Sequence, residues 1–249
     1  LNIGTGFNNE VRSAAVLPDG DVVVVGNFTA YNGTTRNRVV RLNADGSLDN
    51  GFSVGTGFNG FVTQVARQAD GKLLIVGNFT DYNGTAVNRV VRLNADGSRD
   101  ASFNVGTGLN NFAYALALQA DGKVLVGGEF SSYNGTAVTR MARLNTDGSL
   151  DASFSANPVG SVYVLAVQPD GKVLAGGTVW TDGTPSRLAR YNADGSRDVS
   201  FAIGSGFSGA VWSIAVQPDG KVLVGGNYTT FQSQTANALV RLHADGSLD

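Results

Sequence analysis

The chain has 249 residues, among them 34 glycines, only 4 lysines and no cysteine. That turn-rich composition, poor in helix formers, excludes a helical bundle, and the lack of thiols excludes disulfides, thiolate chemistry and zinc ribbons. Eighteen basic against 20 acidic side chains leave a formal charge of −2, so no basic field exists for nucleic acid or an anionic membrane, and no apolar run approaches a membrane span.

The chain opens on LNIGTGF, which matches FSVGTGF at 52–58, FNVGTGL at 103–109 and FAIGSGF at 201–207. No helix pattern follows these GTG segments and no P-loop lysine accompanies them, so they read as tight loops and not as phosphate cradles. A first strand of the type VWSIAVQ (211–217) comes next, then a PDGK or ADGK turn, then a second strand of the type KVLVGGNY (221–228). A loop such as TAYNGTTRN (29–37) leads to a third strand, RVVRLN (38–43); ADGS turns the chain, and LDxSF forms the fourth. Asp-Gly between two apolar runs predicts a tight hairpin turn with positive φ at both central residues.

The first turns fall at Asp19, Asp70, Asp121, Asp170 and Asp219, spaced by 51, 51, 49 and 49 residues, and the second at Asp45, Asp96, Asp147, Asp194 and Asp245. Five units of about fifty residues therefore fill residues 1–249 as one domain. A four-stranded antiparallel unit cannot bury both its faces alone, whereas several set radially can. The expected fold is all-β: a five-bladed β-propeller with four antiparallel strands per blade, its ring closed by pairing of the N-terminal strand with the last blade.

The combination LNxDGSxDxSF, GTG, QPDGKVLVGG and YNGT resembles the delta-sixty repeat, a β-propeller repeat of large bacterial proteins that are often secreted or on the surface. The resemblance covers all five units, although these are shorter than that family's usual period. It implies a propeller blade and an extracellular setting, and it carries over no catalytic residue and no cofactor.

Most charged side chains are repeat positions. Arg41, Arg92, Arg143, Arg190 and Arg241 stand opposite Asp49 and its equivalents, predicting one structural ion pair per blade. The four lysines, 72, 123, 172 and 221, follow first turns and read as solvated charge. Asn43, Asp45, Ser47 and Asp49 imitate a calcium loop, but Gly46 is fourth where an EF-hand needs it sixth, and alternate hairpin residues share a face without any metal. His243 has no metal-ligand companion, and the Asn-x-Thr sequons recur at fixed blade positions as loop stabilisers. Metal sites and cofactors are not expected. Catalysis would have to be assembled from the isolated carboxylates Glu10, Glu129, Asp81 and Asp182, so an enzyme ranks behind a binding module and a purely structural spacer.

Both tight turns are expected on one face of the disc, with the interblade and second-to-third-strand loops on the other. Arg12, Thr63, Tyr114, Tyr163 and Trp212 each lie seven residues before a first-turn Asp, which places them around the mouth of the central channel. Of these, Arg12, Tyr114, Tyr163 and Trp212 suit protein anchoring or stacking on sugar rings; ordinary blade packing is the alternative for the tyrosines. The second-to-third-strand loops carry Tyr31 and Asn32, Tyr82 and Asn83, Tyr133 and Asn134, and then diverge to Trp180 and Asp182. An aromatic beside an amide suits a multivalent glycan, and a tyrosine covering the blade edge beside an Asn-Gly turn gives the same letters. The reading is a monomeric, non-catalytic interaction domain of a bacterial secreted or cell-surface protein that engages a glycan or a protein on its loop face.

Overall fold

The computed structural model describes residues 4–180 and 183–249. Each of the five units forms an antiparallel sheet whose first strand is innermost. The inner strands are Val11–Val16, Val62–Arg67, Ala113–Leu118, Val162–Val167 and Val211–Val216. Each pairs with a middle strand (Val22–Gly26 in blade 1), which pairs in turn with a third strand (Val39–Leu42). The fourth strand is the shortest. In blade 1 it amounts to the Leu42–Leu48 bridge and the Asp49 N–H to Arg41 O bond at 3.0 Å. The Asp49 carboxylate then accepts the Gly51 N–H at 2.7 Å, an Asx turn that diverts the chain toward blade 2.

The Asp-Gly turns differ from the expected geometry at one residue. Leu17 N–H donates to Asp21 O and Gly20 N–H to Leu17 O, at 2.8 and 3.0 Å, and only Gly20 has positive φ, at 89°. This is a type I turn followed by a left-handed glycine, the three-residue hairpin loop. It explains why Pro18, Pro169 and Pro218 precede the aspartate, since proline suits the second position of a type I turn. The Asn-Gly pairs do have positive φ at both residues, 46° at Asn32 and 75° at Gly33. They close a small ribbon, Ala30–Tyr31 with Thr34–Thr35, repeated in blades 2 and 3.

Middle strands such as Leu73–Gly77 are buried along their whole length, which is why they read as continuous apolar runs and not as an alternation. Their alternate residues enter two different cores. Val23, Val25 and Val39 of blade 1 pack with Phe52, Val54, Val62, Ile75 and Phe79 of blade 2. Leu74, Val76 and Val90 of blade 2 enter blade 3 in the same way, Leu125 and Met141 enter blade 4, and Leu174 and Leu188 enter blade 5. The remaining cluster, Val24, Phe28, Tyr31, Val40 and Leu42, belongs to blade 1 alone. The ring-closing pairing expected of the first residues falls on Leu1–Ile3, outside the described residues.

Candidate binding site at the channel mouth

Every inner strand carries a β-bulge, and it falls at one repeat position. Val62 pairs with Gly77 and Gln64 with Val76, so the ladder register skips Thr63; Arg12, Tyr114, Tyr163 and Trp212 are skipped alike. A bulge re-aims the extra residue out of the regular pleat. The glycine opposite makes this possible. A Cβ on Gly26, Gly77, Gly128, Gly177 or Gly226 would lie 2.1 to 2.4 Å from a carbonyl oxygen of the bulged segment.

These bulges bring Arg12, Thr63, Tyr114, Tyr163 and Trp212, one from each blade, around a single cavity of about 430 Å³ that Glu10 and Val11 also line. Tyr163 and Trp212 stack with centroids 4.5 Å apart and planes 4° from parallel, and Tyr114 meets Tyr163 edge-on at 5.3 Å. Phe112 and Phe61 extend the aromatic arc, and the Arg12 guanidinium lies 5.0 Å over Phe61. Arg12 is held by Glu10 at 2.9 Å. The Thr63 hydroxyl lies 2.8 Å from Ala113 O in the next blade, so it is occupied structurally. Burial, the Glu129 carboxylate and Tyr163 push the Tyr114 phenol up to about 12. It is therefore a neutral O–H at physiological pH. Trp212 is 54% exposed, a large apolar face open to solvent.

The outer tyrosines are placed differently from the expectation. Tyr31, Tyr82 and Tyr133 are fully buried, and their hydroxyls donate to Gly46 O at 2.7 Å, to Gly97 O at 2.5 Å and to Gly148 O. Tyr31 and Tyr82 also pack on Phe7 and Phe58. A buried ring cannot stack on a sugar, so these three residues leave the candidate site for the core. Their letters follow from a phenol long enough to tie the ribbon to the second Asp-Gly turn of its own blade. That tie also corrects the expected separation of loops from turns: Gly4, Asn32, Asp45, Gly46 and Ser47 line one shallow cavity at the rim. Asn32 accepts the Gly6 N–H at 2.9 Å, while Asn83 and Asn134 accept the Thr56 and Thr107 N–H at 3.1 and 3.0 Å, so all three secure the GTG loops. Trp180 remains exposed and bridges to Val159, away from the mouth. Asp182 lies outside the described residues.

Of the carboxylates considered for catalysis, the three among the described residues are engaged separately. Glu10 holds Arg12, Glu129 accepts the Ser161 hydroxyl at 3.0 Å, and Asp81 accepts the Gly84 N–H at 2.9 Å in its own ribbon. Among the described residues no group of three or more His, Cys, Asp or Glu is placed to hold a metal ion. No described helix is long and apolar enough to cross a membrane.

Compared with known proteins, the chain matches a family described as "Domain of unknown function (DUF5122) beta-propeller" at residues 17–52, 68–103, 119–154, 168–201 and 217–249. The chain belongs to that family. The matches correspond to the five blades, and the finer delta-sixty resemblance stays a resemblance. No curated protein sequence matches the chain. Among solved structures, virginiamycin B lyase from Staphylococcus aureus is similar at TM-score 0.54 and 14% identity, over 98% of this chain and 71% of the lyase. The extracellular domain of a hybrid two component system from B. thetaiotaomicron aligns at TM-score 0.57 and 15% identity, over 94% of this chain and 27% of that one. PorZ, a surface component of the type-IX secretion system of Porphyromonas gingivalis, aligns at 0.51 and 14%, over 92% of this chain and 31% of PorZ. At these identities the likeness is one of fold alone.

Behind the mouth, each blade of this DUF5122 propeller is clamped by charge. Arg92 Nε meets Asp100 at 2.7 Å, its Nη1 donates to Thr146 O of the next blade at 2.7 Å, and its guanidinium lies 4.6 Å over Phe103. Arg143 and Arg190 repeat the pairing with Asp151 and Asp198. The lysines are not merely solvated: Lys72, Lys123 and Lys172 reach the same three carboxylates at 2.8 to 2.9 Å. In blade 1 the lysine position is Asp21, and Arg41 there meets Asp19, Asp21 and Asp49. Burial opposes ionisation of Asp100, but hydrogen bonds from Lys72, from the Ser102 hydroxyl and amide, and from Arg92 outweigh it, holding the carboxyl well below the usual carboxylate range.

Proposed function

We propose that this propeller is a non-catalytic binding module of a bacterial secreted or surface protein, and that it takes a glycan at the channel mouth. The observation that carries the reading is the stacked pair of Tyr163 with the half-exposed Trp212, presented on bulges beside Tyr114 and Arg12. An exposed indole face suits the apolar face of a pyranose, and a few convergent polar groups fix its hydroxyls. The separate local engagement of Glu10, Glu129 and Asp81 supports a binding role over catalysis. The extracellular setting rests on the resemblance to surface-protein repeats and on the fold shared with PorZ and the extracellular domain. Glycan-array binding by the chain, lost in Trp212→Ala and kept in Tyr82→Phe, is the expected result. A protein ligand at the same mouth would give a silent array and a capture sensitive to Trp212→Ala.

The second reading, a structural spacer, is favoured by one observation: the loop tyrosines and asparagines are spent on internal bonds. A silent glycan array, with no protein capture sensitive to Trp212→Ala, would select it.

A further inference from the structure

Among the described residues, two faces are exposed at positions that every other blade buries. Val39, Val90, Met141 and Leu188 of the third strands are fully buried, whereas Leu239 is 65% exposed. Val62, Ala113, Val162 and Val211 of the inner strands are fully buried, whereas Val11 is 45% exposed; Val16, farther along, is 71% exposed where Arg67, Leu118, Val167 and Val216 are half-buried. The Arg241 side chain is 49% exposed, against 7% for Arg92 and Arg190.

The polar groups of these faces are also repeat positions. In blades 2 and 3 the equivalent arginine donates to a turn carbonyl of the following blade, Thr146 O for Arg92 and Ala193 O for Arg143. Ser13 of blade 1 accepts the Val65 N–H of blade 2 at 3.3 Å, and blade 5 carries the same residue, Ser213, on an exposed stretch of its inner strand. The face of blade 5 that would meet a following blade therefore retains Leu239, Arg241 and Ser213. The face of blade 1 that would meet a preceding blade retains Val11, Ala14 and Val16. One contact is missing: Arg38 and Arg89 reach Phe58 O and Leu109 O of the next blade, and blade 5 has Ala238 there.

We propose that the bare faces of blades 5 and 1 receive a further blade of this same repeat. The four interfaces within the chain define the occupant's chemistry. It presents a small or branched apolar residue against Leu239, a strand N–H to Ser213 Oγ and a turn carbonyl to Arg241, and its other face covers Val11 and Val16. A second whole copy turned about the same axis does not fit, because inner strands from all five blades already line one cavity and five more blades there would run into the first. The lyase leaves room for such an addition within the fold, since nearly the whole of this chain accounts for only 71% of it. The added blade enlarges the mouth between Trp212 and Arg12.

Hydrogen exchange on the 249-residue chain, combined with sedimentation, tests this. The expected result is a monomer in which amides of Val11–Val16 and Leu239–Leu242 exchange at least about tenfold faster than those of Val62–Arg67 and Leu188–Tyr191. A chain extended by one or two copies of residues 50–100 should slow them to the rate of the inner blades. In the extended chain alone, Leu239→Asp should restore fast exchange. Equal protection in the unextended monomer would mean that blade 5 closes directly on blade 1. Protection that appears only with concentration would mean a second copy, and extension without added protection would show that the faces take no blade; each overturns the proposal.

Discussion

Tyr163 and Trp212, on bulges of adjacent inner strands, stack 4.5 Å apart with their planes 4° from parallel. Each ring supports the other, so the free face of Trp212 is held in place before any ligand arrives, which lowers the ordering cost of binding. Because the indole is 54% exposed, its removal forfeits only part of the burial of a core tryptophan. Trp212→Ala is expected to lose ligand binding while lowering unfolding free energy by about 1.5–3 kcal/mol, less than the loss of a fully buried aromatic. Titrations followed by tryptophan fluorescence check this, since Trp180→Phe should keep the ligand-induced change and Trp212→Phe should abolish it.

The bulge depends on the glycine facing it. A Cβ on Gly128 would stand 2.1 Å from Phe112 O, whereas one on Gly225 would meet nothing closer than 3.5 Å. Gly128→Ala should therefore cost about 1–3 kcal/mol, as overpacking does, and Gly225→Ala far less. Urea unfolding of the two variants gives the comparison. If Gly128→Ala is as stable as Gly225→Ala, the bulge does not rely on that close approach.

The tyrosine ties differ from Trp212 in their expected effect on the ligand. Tyr82→Phe removes a hydrogen bond to the carbonyl of Gly97 from a fully buried ring. Leaving that acceptor unpaired should cost about 1–3 kcal/mol, with ligand affinity at the mouth unchanged. Thermal unfolding and binding measured on one preparation separate the two effects. A drop in affinity without a drop in stability would return Tyr82 to the binding surface.

Repeat spacing made the blades legible, because two Asp-Gly series at a common offset leave room for one supersecondary unit between them. The mouth residues were legible for the same reason: a count back from each turn lands on the bulged position in all five blades. The rim was not. Tyr-Asn-Gly reads equally as an exposed aromatic beside an amide or as a phenol tied to Gly46 O, and only the path of the ribbon decides. The lysines misled because a long side chain after a turn looks solvated, while Lys123 folds back to Asp151. Leu239 and Val39 occupy the same place in the repeat, so nothing in the letters distinguishes the covered face from the bare one.

The arginine clamp separates inner blades from the last. Arg143 is buried between Asp151, the Ala193 carbonyl and the Phe154 ring. Arg143→Ala leaves the buried Asp151 carboxylate to Lys123 and Ser153 alone and should cost about 1.5–3 kcal/mol. Arg241→Ala, at a half-exposed position, should cost about 1 kcal/mol or less. Equal losses in the two variants would show that blade 5 is clamped like the rest.

Acid should release the same clamps. Asp100, Asp151 and Asp198 are held below the usual carboxylate range, where hydrogen bonds from lysine, serine and arginine outweigh a burial that alone would raise them. A carboxyl depressed in the folded state binds fewer protons there than in the unfolded chain, whose aspartates titrate near about 3.9. The stabilisation is therefore fully present above that pH and is lost as pH falls through the lower folded values. Urea midpoints are expected to hold between about pH 7 and 5 and to fall progressively below about pH 4. Asp151→Asn should lower the neutral midpoint and flatten the acid limb, because one proton-linked group has been removed. An acid limb as steep in Asp151→Asn as in the parent chain would place the linkage in carboxylates outside these clamps.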